Sequence, residues 1–266
     1  MQTPALLYEK HGHLATVTMN RPEVRNAINA EMLCRLADAW QDVIDDPEIR
    51  VVILTGAGEE AFCAGADLDK LVRMMQGVRP PENEFDERIK ADHTLIYKGL
   101  LRNIEVHKPI IAAVKGFCVA GGTEILQCTD IRVAAEEAQF AIAEVKWSLF
   151  PMGGSTVRLP RQLAYAHAME ILLTGERIPA QEAWRIGLVN KVVPASRVME
   201  EARRYAGVIA ANGPLAVQAV KRSVLACQGV PTMQALDREF EIGVSDDAKE
   251  VTKAFLEKRT PVFHGR

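Results

Sequence analysis

The apolar positions change period along the chain. Ala5–Lys10 and Leu14–Met19 alternate around His11-Gly12, the pattern of a β-hairpin. From Asn29 to Asp46 the apolar residues Met32, Leu33, Leu36, Trp40, Val43 and Ile44 recur at helical spacing, and Pro47 closes the segment. Val51–Gly56 is a continuous apolar run ended by glycine, which predicts a buried strand. A helix is expected near Asp67–Met75 and a loop over Gln76–Glu84, which holds Gly77, Pro80 and Pro81. Ile89, Leu95, Ile96, Leu100 and Ile104 predict one long helix over Asp86–Ile104. Pro109–Gly116 reads as a second buried strand, Gly121–Cys128 as a short helix, and Ile131–Ala134 and Gln139–Ile142 as further strands. From Gly153 the pattern is mostly helical, with one strand near Val189–Val193 and Gly187, Gly213 and Gly229 as punctuation. Interleaved strands and helices followed by helices alone predict an α/β core over residues 1–195 and a helical region over residues 196–266. A helical tail that cannot bury its own apolar face is suited to docking on a partner subunit.

Composition narrows the class. The 266 residues are 48% hydrophobic and 25% charged, with a net charge of −3, the balance of an ordinary globular protein. No block of Lys/Arg exceeds two consecutive residues, so a nucleic-acid footprint is not indicated. No apolar run reaches the length of a membrane span. Cys34, Cys63, Cys118, Cys128 and Cys227 are odd in number and widely spaced, the usage of a reduced, cytoplasmic protein. Met1–Lys10 has neither the basic nor the apolar segment of a secretory leader. The histidines (His11, His13, His93, His107, His167 and His264) show no metal spacing.

The most informative feature is an internal echo. Val51–Gly56 leads to Phe62-Cys63-Ala64-Gly65-Ala66-Asp67, and Ile110–Gly116 leads to Phe117-Cys118-Val119-Ala120-Gly121-Gly122. Each unit is a buried strand, a glycine-bearing turn and a helix start. Small residues there either serve close packing or let a ligand approach main-chain N–H groups, and two such turns side by side would aim two donors at one point. Glu124 falls in the first turn of the second helix, where an acid either complements the helix terminus or works beside the donors. Glu144 follows a strand and precedes the apolar stretch Trp147–Gly154; it is either a solvated loop acid or a carboxyl whose pKa is raised for proton transfer.

These residues resemble the enoyl-CoA hydratase/isomerase, or crotonase, superfamily. The resemblance runs through Arg21-Pro22 with Asn26-Ala27, Phe62–Leu68, Lys108–Val145, Pro151–Ser155, Leu172–Pro194 and Ala254–Arg259, and so covers nearly the whole chain. It implies a spiral of repeated β-β-α units with a C-terminal helical trimerisation region, assembled as a homotrimer or homohexamer. It further implies that the Ala66 and Gly121 N–H groups hold an acyl-CoA thioester carbonyl. Glu124 and Glu144 correspond to the two acids of a hydratase, which adds water to a 2-enoyl-CoA with no metal and no cofactor beyond the coenzyme A of the substrate. Ala64, Asp67, Leu68 and Gly122 would border the same substrate. Arg25 and Lys258, the latter placed in a C-terminal helix, are either phosphate contacts of coenzyme A or solvated surface cations. An isomerase or another acyl-CoA lyase or hydrolase is the alternative.

Two departures from the family pattern stand out. Ala120 replaces a glycine, a mild change by sequence alone. Trp147, in Lys146-Trp147-Ser148, stands where smaller residues are usual; it either packs in the core or walls the acyl pocket against long straight chains. Two rival chemistries remain to be tested by structure. Gly56-Ala57-Gly58-Glu59-Glu60-Ala61 formally fits a dinucleotide fingerprint, which requires a helix to open at once. Cys63 or Cys118 could serve as a nucleophile, although no histidine stands in an evident partnering context.

Overall fold

The computed structural model describes residues 3–227, 246–259 and 261. Strands β1 (Leu6–His11) and β2 (Leu14–Met19) form the expected antiparallel hairpin. Helix α1 (Ala30–Asp45) follows, capped by the Asn29 side chain, which accepts from the Met32 N–H at 2.9 Å. Strands β3 (Val51–Gly56) and β4 (Ala61–Cys63) lead to a π-helical turn, Leu68–Val72, that runs on into α2 (Arg73–Met75). Helices α3 (Glu84–Ala91) and α4 (Thr94–Gly99) precede strands β5 (Ile110–Val114) and β6 (Phe117–Val119) and helix α5 (Gly121–Leu126). Strands β7 (Ile131–Ala135) and β8 (Gln139–Ala141) end in a 3₁₀ turn, Glu144–Trp147. The remainder is α6 (Ser155–Gln162), α7 (Tyr165–Thr174), β9 (Ile178–Pro179), α8 (Ala180–Arg185), β10 (Lys191–Val193), α9 (Val198–Ala211), α10 (Pro214–Cys227) and α11 (Asp246–Leu256).

The strands sort into two sheets by a simple rule. The large sheet has the order β1-β2-β3-β5-β7-β10, and the small one β4-β6-β8-β9. After the β1–β2 hairpin, which lies wholly in the large sheet, the pairs β3–β4, β5–β6 and β7–β8 each give their first strand to the large sheet and their second to the small one. β3, β5 and β7 are parallel neighbours, and so are β4, β6 and β8. The chain advances one strand per unit in the same direction, which is the spiral that the resemblance implied. Its consequence is positional. The C-terminal ends of β4, β6 and β8 lie side by side, so whatever follows each strand is delivered to one edge of the small sheet.

The core lies between the large sheet and its helices, with Trp40, Phe62, Phe140, Met19, Leu33 and Ile53 among the fully buried side chains. The Trp40 Nε1–H does not go unpaired there, since it donates to the Gly99 carbonyl at 3.0 Å. Helix α9 packs on β3, β5 and β7, and Arg50 donates to the Ala210 carbonyl at 3.0 Å. The Arg21…Asn26 motif is a staple. Buried Asn26 donates to the carbonyls of Ala57 (3.0 Å) and Ala61 (2.7 Å), fixing the link between β3 and β4.

Two expectations fail locally. The single long helix over Asp86–Ile104 is two short ones. Asp92 is extended (φ −139°, ψ 92°) and its side chain accepts from the Thr94 N–H at 2.9 Å, which restarts the helix there. Leu101 at φ 55° then prevents continuation past α4. The Phe-Cys residues of the echo are not turns but the short strands β4 and β6, with Cys63 opposite Cys118. Three-residue strands carry too little periodicity to be seen in sequence. The loop expected over Gln76–Glu84 is present up to the Asn83 cap of α3, and buried Arg79 pins it through the Lys70 carbonyl (2.6 Å) and Asp86 (2.8 Å).

Candidate active site

The two glycine-bearing turns touch. Gly65 adopts φ +90°, and a Cβ placed on it would meet the Ala120 Cβ at 2.7 Å and the Gly121 nitrogen at 3.3 Å. A Cβ on Gly121 would lie 3.8 Å from the Ala66 nitrogen. The first turn is held by a parallel bridge to Ile28. Ile28 N–H donates to the Gly65 carbonyl at 2.7 Å, and Asp67 N–H donates to the Ile28 carbonyl at 2.9 Å. In that bridge the Ala66 peptide N–H faces away from Ile28. Among the described residues neither the Ala66 N–H nor the Gly121 N–H has an acceptor. The second N–H is free because the Ala120 carbonyl already starts the helix, accepting from Thr123 (2.8 Å) and Glu124 (3.0 Å).

Ala120 reaches that position at φ 49°, ψ −125°, in the half of conformational space that favours glycine. The replacement that looks mild in sequence is thus a strained residue, with a cost of about 1–3 kcal/mol.

Glu124 is 4% exposed on α5, and its carboxylate is clasped by main chain. Oε2 accepts from the Gly153 N–H at 2.9 Å and Oε1 from the Ser155 N–H at 3.3 Å. Gly153 must be glycine for this approach, since a Cβ there would sit 2.6 Å from Oε2. Behind the clasp, Arg158 donates to the Gly153 carbonyl at 2.7 Å and to the Leu101 carbonyl at 3.1 Å. Gln127 donates to the Ser155 hydroxyl at 2.9 Å. Burial raises the Glu124 pKa, and the Gly153 and Ser155 N–H groups and the Arg158 charge oppose that rise.

Glu144 opens the 3₁₀ turn at the end of β8. Its pKa is pushed well above the ordinary carboxyl value of 4.5, first by burial and then by the charge of Glu124. Its Oε2 is buried with no hydrogen-bond partner among the described residues. The two carboxyls are thus close enough for the charge of Glu124 to act on Glu144, and Glu124 is the more heavily hydrogen-bonded of the two.

The remaining sequence-predicted residues divide. Ala64 is fixed by its N–H to the Arg25 carbonyl at 3.0 Å. Gly122 packs against β4, where a Cβ would be 2.5 Å from the Cys63 carbonyl oxygen. Asp67 caps the π-turn through Lys70 N–H (2.9 Å) and pairs with Arg21 (2.9 Å); Leu68 begins that turn. The Arg25 guanidinium is exposed, paired with Glu60 at 3.2 Å and set over the Phe117 ring at 5.5 Å. Lys258 lies not in a helix but in the exposed turn beyond α11, at φ 54°. The half-buried Trp147 ends the 3₁₀ turn and meets the ring of Phe255. Gly153, Ser155, Gln127 and Arg158 were not assigned roles from sequence. The Pro151–Ser155 motif marked their region, but a main-chain clasp carries no side-chain signature.

Both rival chemistries lose their footing. Gly56-Ala57-Gly58 leads into strand β4, not into a helix, so it cannot cradle a pyrophosphate. Cys63 and Cys118 are fully buried, and burial pushes the Cys63 thiol up to about 12 and the Cys118 thiol upward as well, far from thiolate formation.

Two mostly parallel sheets that advance one strand per unit define the crotonase class of proteins. The chain belongs to the enoyl-CoA hydratase/isomerase family, whose model matches residues 9–266. It is 48% identical to the enoyl-CoA hydratase EchA19 of Mycobacterium tuberculosis, over 99% of this chain and 97% of that protein. It is 40% identical to the (E)-benzylidenesuccinyl-CoA hydratase of Thauera aromatica, over 97% of this chain and 98% of that one. Its structure matches a crystal structure of carnitinyl-CoA hydratase from Mycobacterium avium with a TM-score of 0.87 at 37% identity, covering 100% of both chains.

Proposed function

We propose that this protein hydrates a 2-enoyl-CoA thioester to the 3-hydroxyacyl-CoA, with Glu124 as base and Glu144 as acid. The observation that carries this reading is a clasped carboxylate whose charge acts on a second, strongly proton-retaining carboxyl, the Oε2 of which has no hydrogen-bond partner among the described residues. Relatives named as hydratases of acyl-CoA esters support it.

The thioester oxygen lies between the Ala66 and Gly121 N–H groups, which draws electron density from the β-carbon. Water bound at Glu124 gives that carboxylate a proton as its oxygen bonds to the β-carbon. The C=C electron pair moves toward the carbonyl, and negative charge collects on the thioester oxygen, where the two amides stabilise it. The proton on Glu144 then passes to the α-carbon. Glu124 ends protonated and Glu144 ionised, and one proton exchange through solvent restores the starting state. The steps use no metal or redox group, only the coenzyme A that arrives with the substrate.

Glu124→Gln and Glu144→Gln should each lower kcat on crotonyl-CoA by about 10²–10⁴-fold while leaving binding of the ester nearly unchanged. Near-normal hydration by either variant overturns the assignment. Product analysis on crotonyl-CoA and a 3-enoyl-CoA separates a hydratase from an isomerase.

Trimeric or hexameric assembly is part of the same reading. Leu215, Val220 and Val224 of α10 and Val208 of α9 are exposed, an apolar surface that a second copy would cover. The cytoplasm suits its buried free thiols. Among the described residues no helix is long and apolar enough to cross a membrane.

A further inference from the structure

Helix α11 reaches across from one wall of the site to the other. It packs on the Leu68–Val72 turn, which begins two residues after Ala66. Its Phe255 ring also meets the Trp147 ring edge-on, with centroids 5.9 Å apart and planes at 77°. The direction of Trp147 follows from the turn that carries it. In a 3₁₀ turn, side chains three residues apart eclipse one another. Glu144 and Trp147 are the first and last residues of such a turn, so they share a face. The other face is occupied. A Cβ on Gly175 would lie 3.2 Å from both Val145 Cγ2 and Lys146 Cγ, which places those two side chains against the end of α7. Trp147 therefore shares its face of the turn with Glu144, the acid on which the charge of Glu124 acts. Phe255 is 46% exposed, which sets the aromatic pair at the surface and not in the core.

We propose that Trp147 and Phe255 form an aromatic gate at the acyl end of the cavity, which admits short or flat enoyl groups and excludes long straight ones. The inference rests on the hydratase reading, because it takes the acyl chain to leave the carboxyl pair on the Trp147 side. Rigid rings allow a planar conjugated acyl group to lie along them. A flexible saturated chain would have to part them.

The test is a ratio. kcat/KM is measured for crotonyl-CoA and 2-decenoyl-CoA with the wild type, Trp147→Ala and Phe255→Ala. The wild type should prefer crotonyl-CoA. Trp147→Ala should raise the decenoyl-to-crotonyl ratio by at least about tenfold, in line with the weight of a few methylenes in an apolar pocket. Phe255→Ala, at the exposed rim, should move it in the same direction by less. A ratio unchanged in both variants, or a wild type that already favours decenoyl-CoA, overturns the gate. If Trp147→Ala does not fold, Phe255→Ala decides alone. If the wild type hydrates neither ester, the hydratase reading fails, and the gate is then judged by calorimetry. In that case the Kd ratio of decanoyl-CoA to butyryl-CoA must fall in the Ala variants, and an unchanged ratio overturns the gate.

Discussion

Glu124 and Glu144 are the same amino acid at the edge of the same small sheet, yet their surroundings differ in kind. Glu124 projects from a helix and receives the backbone N–H groups of Gly153 and Ser155, at the start of α6, with the positive charge of Arg158 behind them. Glu144 projects from a single 3₁₀ turn, and its Oε2 receives nothing among the described residues. Burial raises both pKa values, but Glu124 has two backbone N–H groups and the Arg158 charge favouring its ionised form, whereas Glu144 has only its own N–H and also meets the charge of Glu124. Facing carboxyls cannot both ionise cheaply, so the environment decides which one holds the proton. The clasped residue is suited to take a proton from water and the bare one to give a proton to carbon. Acid and base are thus assigned by backbone geometry and not by side-chain type.

If the clasp makes that difference, damaging it should damage catalysis before stability. In Gly153→Ala the added Cβ would lie 2.6 Å from Oε2 and 2.8 Å from the carboxyl carbon of Glu124. The carboxylate must shift, and a displacement near 1 Å at a reacting group costs about 10²-fold in rate. Steady-state hydration of crotonyl-CoA should fall by about that factor, while circular dichroism and CoA-ester binding stay close to wild type.

Arg158→Gln acts on the same clasp more gently, through charge and through the Gly153 carbonyl. The guanidinium holds the Glu124 pKa down, so its loss raises that pKa. Glu124 must be ionised to act as base. The acid limb of the kcat/KM profile should therefore move to higher pH, with little change at the plateau. A merely structural Arg158 would lower the melting temperature and leave the limb in place. Arg158→Lys, which keeps the charge, should restore part of the shift.

What could be seen in sequence tracks how each feature is encoded. The long periodic segment and the continuous apolar runs were legible: α1, β3 and β5 fall within a residue or two of expectation. So was the echo, because repetition of Phe-Cys before Ala-Gly exceeds local chance. The strands β4 and β6 were not, since three residues show no period, and neither was the break at Asp92–His93, where a side-chain cap overrides the apolar pattern. Glu124 and Glu144 could be singled out as acids, but their difference could not. It resides in which amides point at which oxygen, and Gly153 offers only a backbone. Nor could the strain at Ala120 be read, because φ 49° belongs to the turn and alanine does not advertise it.

The smallest effect concerns stability and has a definite sign. The folded-state pKa of Glu144 is raised, so the folded state holds this proton to higher pH than the unfolded chain does. Below about pH 4, near the unfolded carboxyl value, both states are protonated and burial of the neutral acid carries no ionisation penalty. As pH rises past that value the unfolded chain ionises and gains stability relative to the fold. Glu144 therefore contributes stability at acid pH that is lost as pH climbs toward its folded pKa. Glu144→Gln, neutral at every pH, escapes the loss. Its melting temperature relative to wild type should climb between about pH 4 and pH 8. Glu124→Gln should show a smaller rise, because the clasp already offsets part of the burial penalty. Equal slopes for the two variants would mean that the clasp does not separate the carboxyls, and the assignment of acid and base would lose its physical ground.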